Sequence, residues 1–139
     1  MKAEFEALLA HEKTAPKIGS QIETVVRVNA DGKPVRANYV VLSPTVPNLD
    51  DERWTSAQHA DSTRRFRCDI RFVAVDTIGL LGMVEIIHAH TIGHVLDVPG
   101  RTCSAIRLLQ GVEEGRVRFD RASQLVYLDE TIEFTSQRA

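Results

Sequence analysis

Cysteine is nearly missing from this 139-residue sequence, which holds only Cys68 and Cys103. Two thiols are too few for a disulfide framework, and their spacing fits no metal motif. They read as buried free thiols, with a bridge between neighbouring strands in an oxidising setting as the alternative. Long apolar runs are missing as well. A membrane helix needs about 20 apolar residues in succession, and the opening MKAEFEALLA carries Glu4 and Glu6 within a short apolar stretch, which fits neither a span nor a secretory leader. The expectation is a protein of the cytoplasm with no membrane partner. Neither sign of charge prevails: 17 Lys plus Arg stand against 19 Asp plus Glu, a net charge of −2. That excludes a basic nucleic-acid footprint and a polyacidic tail at the level of the whole chain. Internal repeats and low-complexity tracts are absent. What is present is 43% hydrophobic and 26% charged, ordinary for a soluble domain. By the rule of about 150 residues per domain, residues 1–139 form one.

Along the chain, Phe5, Leu8 and Leu9, with Glu12 on the same face, repeat at helical spacing until Pro16 closes the segment. Ile22 to Val28 alternates like a strand, Asn29-Ala30-Asp31-Gly32 signals a turn, and Val35 to Leu42 resumes, so a hairpin is expected. Residues 43–63 break all periodicity and predict a long loop whose four acids and one arginine carry −3. Such loops are usually functional or disordered. The clearest strand follows: Phe66, Cys68, Ile70, Phe72 and Ala74 share one face, and Arg65, Arg67, Asp69 and Arg71 share the other. From Arg64 to Ala74 it is long enough to run past its own sheet. Asp76 suits an N-cap for a helix from Thr77 to Ile92, with Gly93 at its C′ position. Gly79 and Gly82 inside that helix suggest close packing on a sheet. Pro99-Gly100 suits a type II turn. Thr102–Leu109 and Leu125–Phe134 complete the strands, and a bulge near Asp129 is expected to spare Glu130 an inward orientation. The fold class is α/β (α+β): a mainly antiparallel sheet with two helices on one face, in the order α-β-β-β-α-β-β.

Constellations with chemical meaning are few. His90 and His94 are four apart, and Glu85 and His88 three apart. Gly93 is placed to end the helix before His94, however, and His88 and His90 point apart. Histidines favoured at a helix C-terminus are the preferred reading and metal ligands the alternative. No nucleophile elbow, phosphate-binding glycine loop or His-Glu-x-x-His pair is present, and the adjacent Glu113 and Glu114 diverge on any regular element. No catalytic, cofactor-binding or metal-binding residue is therefore assigned. The basic face of Arg65, Arg67 and Arg71 could hold phosphates or be a solvated sheet surface. The reading carried forward is that it meets the acidic loop of another copy, where Asp50, Asp51 and Glu52 stand beside Trp54. A tryptophan in a polar loop is tucked against its own domain or anchors an interface, and the anchor is preferred.

At Tyr39-Val40-Val41-Leu42-Ser43-Pro44-Thr45, Arg64-Arg65-Phe66-Arg67-Cys68, Val98-Pro99-Gly100-Arg101-Thr102-Cys103-Ser104-Ala105-Ile106-Arg107 and Val126-Tyr127-Leu128-Asp129-Glu130-Thr131-Ile132-Glu133-Phe134, the chain resembles tail terminator proteins of long-tailed, siphovirus-type phages of actinobacteria. The resemblance is one of pattern and order over nearly the whole chain. It implies a small virion protein, assembled in the host cytoplasm, that forms a hexameric ring on the finished tail tube. The ring would stop tube polymerisation and offer the surface that joins the tail to the head through a head-completion or neck protein. DNA would pass through its channel without specific binding, and no cofactor or turnover is implied. The alternatives are another neck component, such as a head-completion or stopper protein, and a small enzyme or metal-binding protein.

Overall fold

The computed structural model describes residues 2–45, 64–109 and 116–138. Helix α1 (Lys2–Glu12) is followed by a single 3-10 turn (Gly19–Gln21), strands β1 (Ile22–Glu23), β2 (Tyr39–Pro44) and β3 (Arg64–Ala74), and helix α2 (Thr77–Thr91). Four more strands complete the chain: β4 (Arg101–Cys103), β5 (Arg107–Leu109), β6 (Arg118–Asp120) and β7 (Leu125–Arg138). The architecture is the expected α+β one, a mostly antiparallel sheet with both helices on one face. Its spine is the β3–β7 ladder, which pairs Arg64 with Ser136 through to Ala74 with Val126 without interruption. The long β3 therefore does not outrun its sheet, because β7 matches it residue for residue. On the far edge of β7, three short strands succeed one another: β6 beside Leu125–Tyr127, β5 beside Thr131–Glu133 and β4 beside Ser136–Arg138.

Period two puts Phe66, Cys68, Ile70, Phe72 and Ala74 of β3 on the helix side with Val126, Leu128, Ile132 and Phe134 of β7, all buried. Phe66 and Phe134 sit directly opposite one another with ring centroids 5.0 Å apart. Such a pair is worth about 0.5–1.5 kcal/mol beyond its buried area. Leu80, Met83, Val84 and Ile87 of α2 close this core from above, and Leu8 of α1 joins it. The Asp76 carboxylate caps α2 by accepting from the Gly79 N–H at 2.6 Å. A Cβ on Gly79 would lie 2.9 Å from that same carboxylate oxygen and 3.1 Å from Asn38 Nδ2, so a larger residue there would have to shift both side chains. Gly82 is different. A Cβ on it would meet nothing within 4 Å, so it is not a sheet-packing position. Gly100, at φ +74°, completes the expected turn, closed by Arg101 N–H donating to the Val98 carbonyl at 3.0 Å.

Several expectations are corrected. The stretches around residues 22–28 and 35–42 do not form a two-stranded sheet hairpin. β1 pairs with β2 in parallel, Ile22 beside Val40, and a parallel pair needs a crossover of about a dozen residues or more, which residues 24–38 supply. The turn at Asn29–Gly32 is real, with a Val28–Pro34 bridge, but it caps an arm outside the sheet on which Val25, Val26 and Val28 stay exposed. No bulge forms at Asp129, which pairs squarely with Arg71. Glu130 does point inward, where its carboxylate meets His88 Nε2 at 2.6 Å. The extra residue lies elsewhere. Thr102–Leu109 divides into β4 and β5 because three residues, Ser104 to Ile106, face two of β7, and the Ser104 hydroxyl replaces a ladder acceptor for the Thr135 N–H at 2.8 Å.

Candidate functional site

The sheet face turned away from the helices is the chemically distinctive surface. Register alone decides its pairs: Arg67 faces Glu133, Asp69 faces Thr131, Arg71 faces Asp129 and Val73 faces Tyr127. Opposed charges across a ladder contribute about 0.2–1 kcal/mol per pair. Glu133 is the hub. Its side chain is 1% exposed, Arg67 Nε donates to it at 2.6 Å, Arg107 Nη2 donates to its other oxygen, and Arg65 Nε lies 3.6 Å away. Burial pushes this carboxyl upward, but the Arg107 and Arg67 hydrogen bonds outweigh burial and hold it below the ordinary carboxylate value. Arg71 makes a bidentate pair with Asp129 at 2.8 and 2.9 Å, which raises its pKa, and its guanidinium lies 4.9 Å from the Tyr127 ring centroid. Thr131 Oγ1 donates to Asp69 at 2.8 Å.

Two adjoining hollows open on this face. One, of about 480 Å³, has Arg71, Arg116 and Arg118 with Asp69 and Asp129 in its lining. The other, of about 280 Å³, has an aromatic and aliphatic floor of Tyr39, Val73, Leu125 and Tyr127 between Val26 of the arm and Phe119 of β6. The arm is held down by Arg27, whose Nε donates to Glu23 at 2.8 Å while its guanidinium covers Tyr39 at 5.5 Å. The β6–β7 turn is held by Asp120, which accepts from Ser123 Oγ at 2.7 Å and from the Ala122 N–H at 3.2 Å. Phe119 is nonetheless 60% exposed.

The structure thus places Arg65, Arg67 and Arg71 on one face, as period two requires, and gives each a carboxylate of its own chain. Asp50, Asp51, Glu52 and Trp54 lie outside the described residues. Glu133 was missed as a hub. Its signal was the acid-rich outward face of β7 opposite the arginine-rich face of β3, which becomes readable only once the register is known.

A second polar cluster joins the helices. The core-facing row of α1 is Glu4, Leu8 and Glu12, all buried. Glu4 reaches Arg101 at 3.4 Å and Ser136 Oγ at 3.1 Å. Glu12 accepts from Thr91 Oγ1, its other oxygen has no hydrogen-bond partner among the described residues, and burial raises its pKa. Beside it, His11 stacks between His90 and His94 with centroids 4.1 and 3.8 Å away. His11 and His90 each place Nε2 on the other's carbonyl oxygen, at 2.9 and 2.8 Å. Among the described residues, no group of three or more His, Cys, Asp or Glu is arranged to hold a metal ion. Cys68 and Cys103 are both buried and free, and burial pushes the Cys68 thiol up to about 12.

No protein-family model and no curated protein sequence matches the chain. Among solved structures, its fold is similar to that of a chain in the virion of a native gene transfer agent (GTA) particle, with a TM-score of 0.69 and 10% identity. The similarity covers 95% of this chain and 92% of that one, so the whole fold, helices and sheet together, is shared.

Proposed function

We propose that the chain is a structural subunit of a phage-type virion and, more specifically, the tail terminator that caps the finished tail tube. The observation that carries this reading is a fold held in common, over nearly the full length of both chains, with a chain of a gene transfer agent virion. The sequence resemblance to tail terminators points the same way and supplies the finer assignment. Copies assemble as a hexameric ring on the tube end, block further polymerisation, and present their free side to a head-completion or neck protein. A closed ring needs two different complementary surfaces on each copy. The arginine-rich sheet face is one of them, and the acidic segment around Trp54 is the other. A subunit with a net charge of −2 suits a channel through which DNA passes without being gripped. The work is binding rather than turnover.

The test is the mass of the native particle, together with electron microscopy of purified tail tubes incubated with the chain. A six-membered ring seated on tube ends, and tubes that no longer elongate, are the expected result. A protein that ignores tubes but binds the portal-side complex is instead a head-completion or stopper protein. One that stays single, ignores both and consumes a metabolite is no virion component.

A further inference from the structure

We propose that α2 of one copy packs antiparallel against α2 of a second copy across a two-fold axis beside Gly82, with Ile78 of each entering a hollow at Ile86 and Ala89 of the other. The contact is independent of the ring reading. It uses the side of the sheet opposite the arginine-rich face, and a two-fold contact closes on itself without building a ring. Toward the core, α2 turns Leu80, Met83, Val84 and Ile87. A surface helix is ordinarily polar on its other side. Here the exposed side is Ile78, Leu81, Gly82, Glu85 and Ala89, a second stripe at spacings of three and four. Ile78 is 85% exposed and Leu81 47%, and Glu85 is the sole Asp, Glu, Lys or Arg from Thr77 to Thr91. A helix that is apolar on both sides is one that another surface covers.

Shape makes that surface a second α2. Near its N-terminus the stripe projects, since Ile78 is the most exposed large apolar side chain among the described residues. Nearer its C-terminus it is concave: Ile86, Ala89 and Pro16, with Glu85 and His90, line a hollow of about 370 Å³. Projection and hollow are separated by roughly 12–17 Å along one helix. Reversing a second α2 therefore sets Ile78 opposite Ala89, Leu81 opposite Ile86 and Glu85 opposite Gly82, and each projection fills the other's hollow. That reciprocity is the mark of a two-fold interface. Gly82 falls beside the axis. It is a poor helix former, and its own chain supplies no reason for it, because a Cβ there would meet nothing within 4 Å. Without that Cβ two helices can approach to about 8 Å, the close end of the usual range. Glu85 lies over the gap, and the two Glu85 carboxylates come within about one turn of each other, which limits affinity. A stripe about 22 Å long and one helix wide buries much less than the ~800 Å² per partner of a standard interface, so the dimer is weak.

Sedimentation of the wild-type chain should show a concentration-dependent pairing. Ile78→Ser should raise the half-dissociation concentration about tenfold or more, equivalent to ~1.4 kcal/mol. Gly82→Ala separates fold from contact: it should raise the unfolding temperature, since Ala replaces Gly inside a helix, and yet weaken the pair. Glu85→Gln should strengthen it. Under mild oxidation, Gly82→Cys copies should link to one another, whereas Thr77→Cys copies should not, because their sulfurs stand roughly 20 Å apart along the axis of an antiparallel pair. The native Cys68 and Cys103 are buried and should not compete. A wild-type chain that shows no pairing at any concentration, or equal linking of both cysteine variants, would overturn the proposal. Rings that form while Gly82→Cys copies fail to link would overturn this contact and leave the ring reading standing. Pairs linked through Gly82→Cys that neither form rings nor bind tubes would uphold the contact and overturn the ring reading.

Discussion

The two faces of the β3–β7 ladder are made by alternate members of the same eleven residue pairs, yet they are finished by different physics. Toward the helices, Phe66, Ile70, Phe72, Leu128, Ile132 and Phe134 are covered by α2, and stability comes from apolar burial and packing. Away from the helices, the same backbone carries Arg67, Asp69, Arg71, Asp129, Thr131 and Glu133, which satisfy one another laterally while their arginine ends reach solvent. The inner face is closed by its own chain. The outer face is chemically satisfied but geometrically open, with Phe119 and Val26 exposed beside its aromatic hollow.

Substitutions on the two faces would break or sharpen this contrast. Phe134→Ala should cost about 3–5 kcal/mol in urea unfolding, through lost transfer energy and an unfilled cavity. An equal cost for Thr131→Ala on the outer face would erase the distinction. Glu133→Gln comes next, at about 1–3 kcal/mol near pH 7, because it weakens charge-assisted bonds from Arg67 and Arg107. Glu133 has a lowered folded pKa, so its contribution is present above the ordinary value of 4.5 and is lost as pH falls through the folded value. Wild type and variant should therefore converge in unfolding experiments only below pH 4.5, as the pH falls through the folded value. Convergence at pH 6 would refute the assignment.

The helix junction should give smaller effects of opposite slope. Burial, with the neighbouring His90 and His94 charges adding to it, outweighs the His90 carbonyl bond and lowers the His11 pKa, so the folded state resists protonating it and stability falls as pH drops below 6.5. Glu12 is raised, so its effect runs the other way and stability falls as pH rises above 4.5 toward its folded value. Glu12→Gln should flatten that second slope and shift stability at pH 7 by no more than about 1 kcal/mol; an unchanged pH profile would show that Glu12 does not titrate there. Least of all, Arg65→Ser should change stability by less than about 0.5 kcal/mol, since Arg65 is 62% exposed and 3.6 Å from Glu133.

Legibility in the sequence followed the range of the interaction. The limits and both faces of β3, the Asp76 cap, the α2 span to within a residue and the Pro99-Gly100 turn are all local, set by period, capping and backbone sterics. The parallel pairing of β1 with β2 was hidden because β-branched Val25, Val26 and Val28 read as sheet yet lie in a crossover arm. Glu130 looked like an error to be repaired by a bulge, since nothing near it in sequence shows that His88 waits on the helix above. The sequence set Glu12 on the core-facing side of α1, but the partners of the buried Glu4 and Glu12 were not legible, because Arg101, Ser136 and Thr91 are 79 or more residues away.

The sequence by itself determined which residues alternate, where the helices start and stop, and that arginines share one side of β3. Only the tertiary structure decided which carboxylates meet those arginines, and that the arm and β6 wall a hollow on the face away from the helices. The physical reason is that propensity and period act over a few residues, whereas pairing register and coverage depend on groups brought together by chain closure.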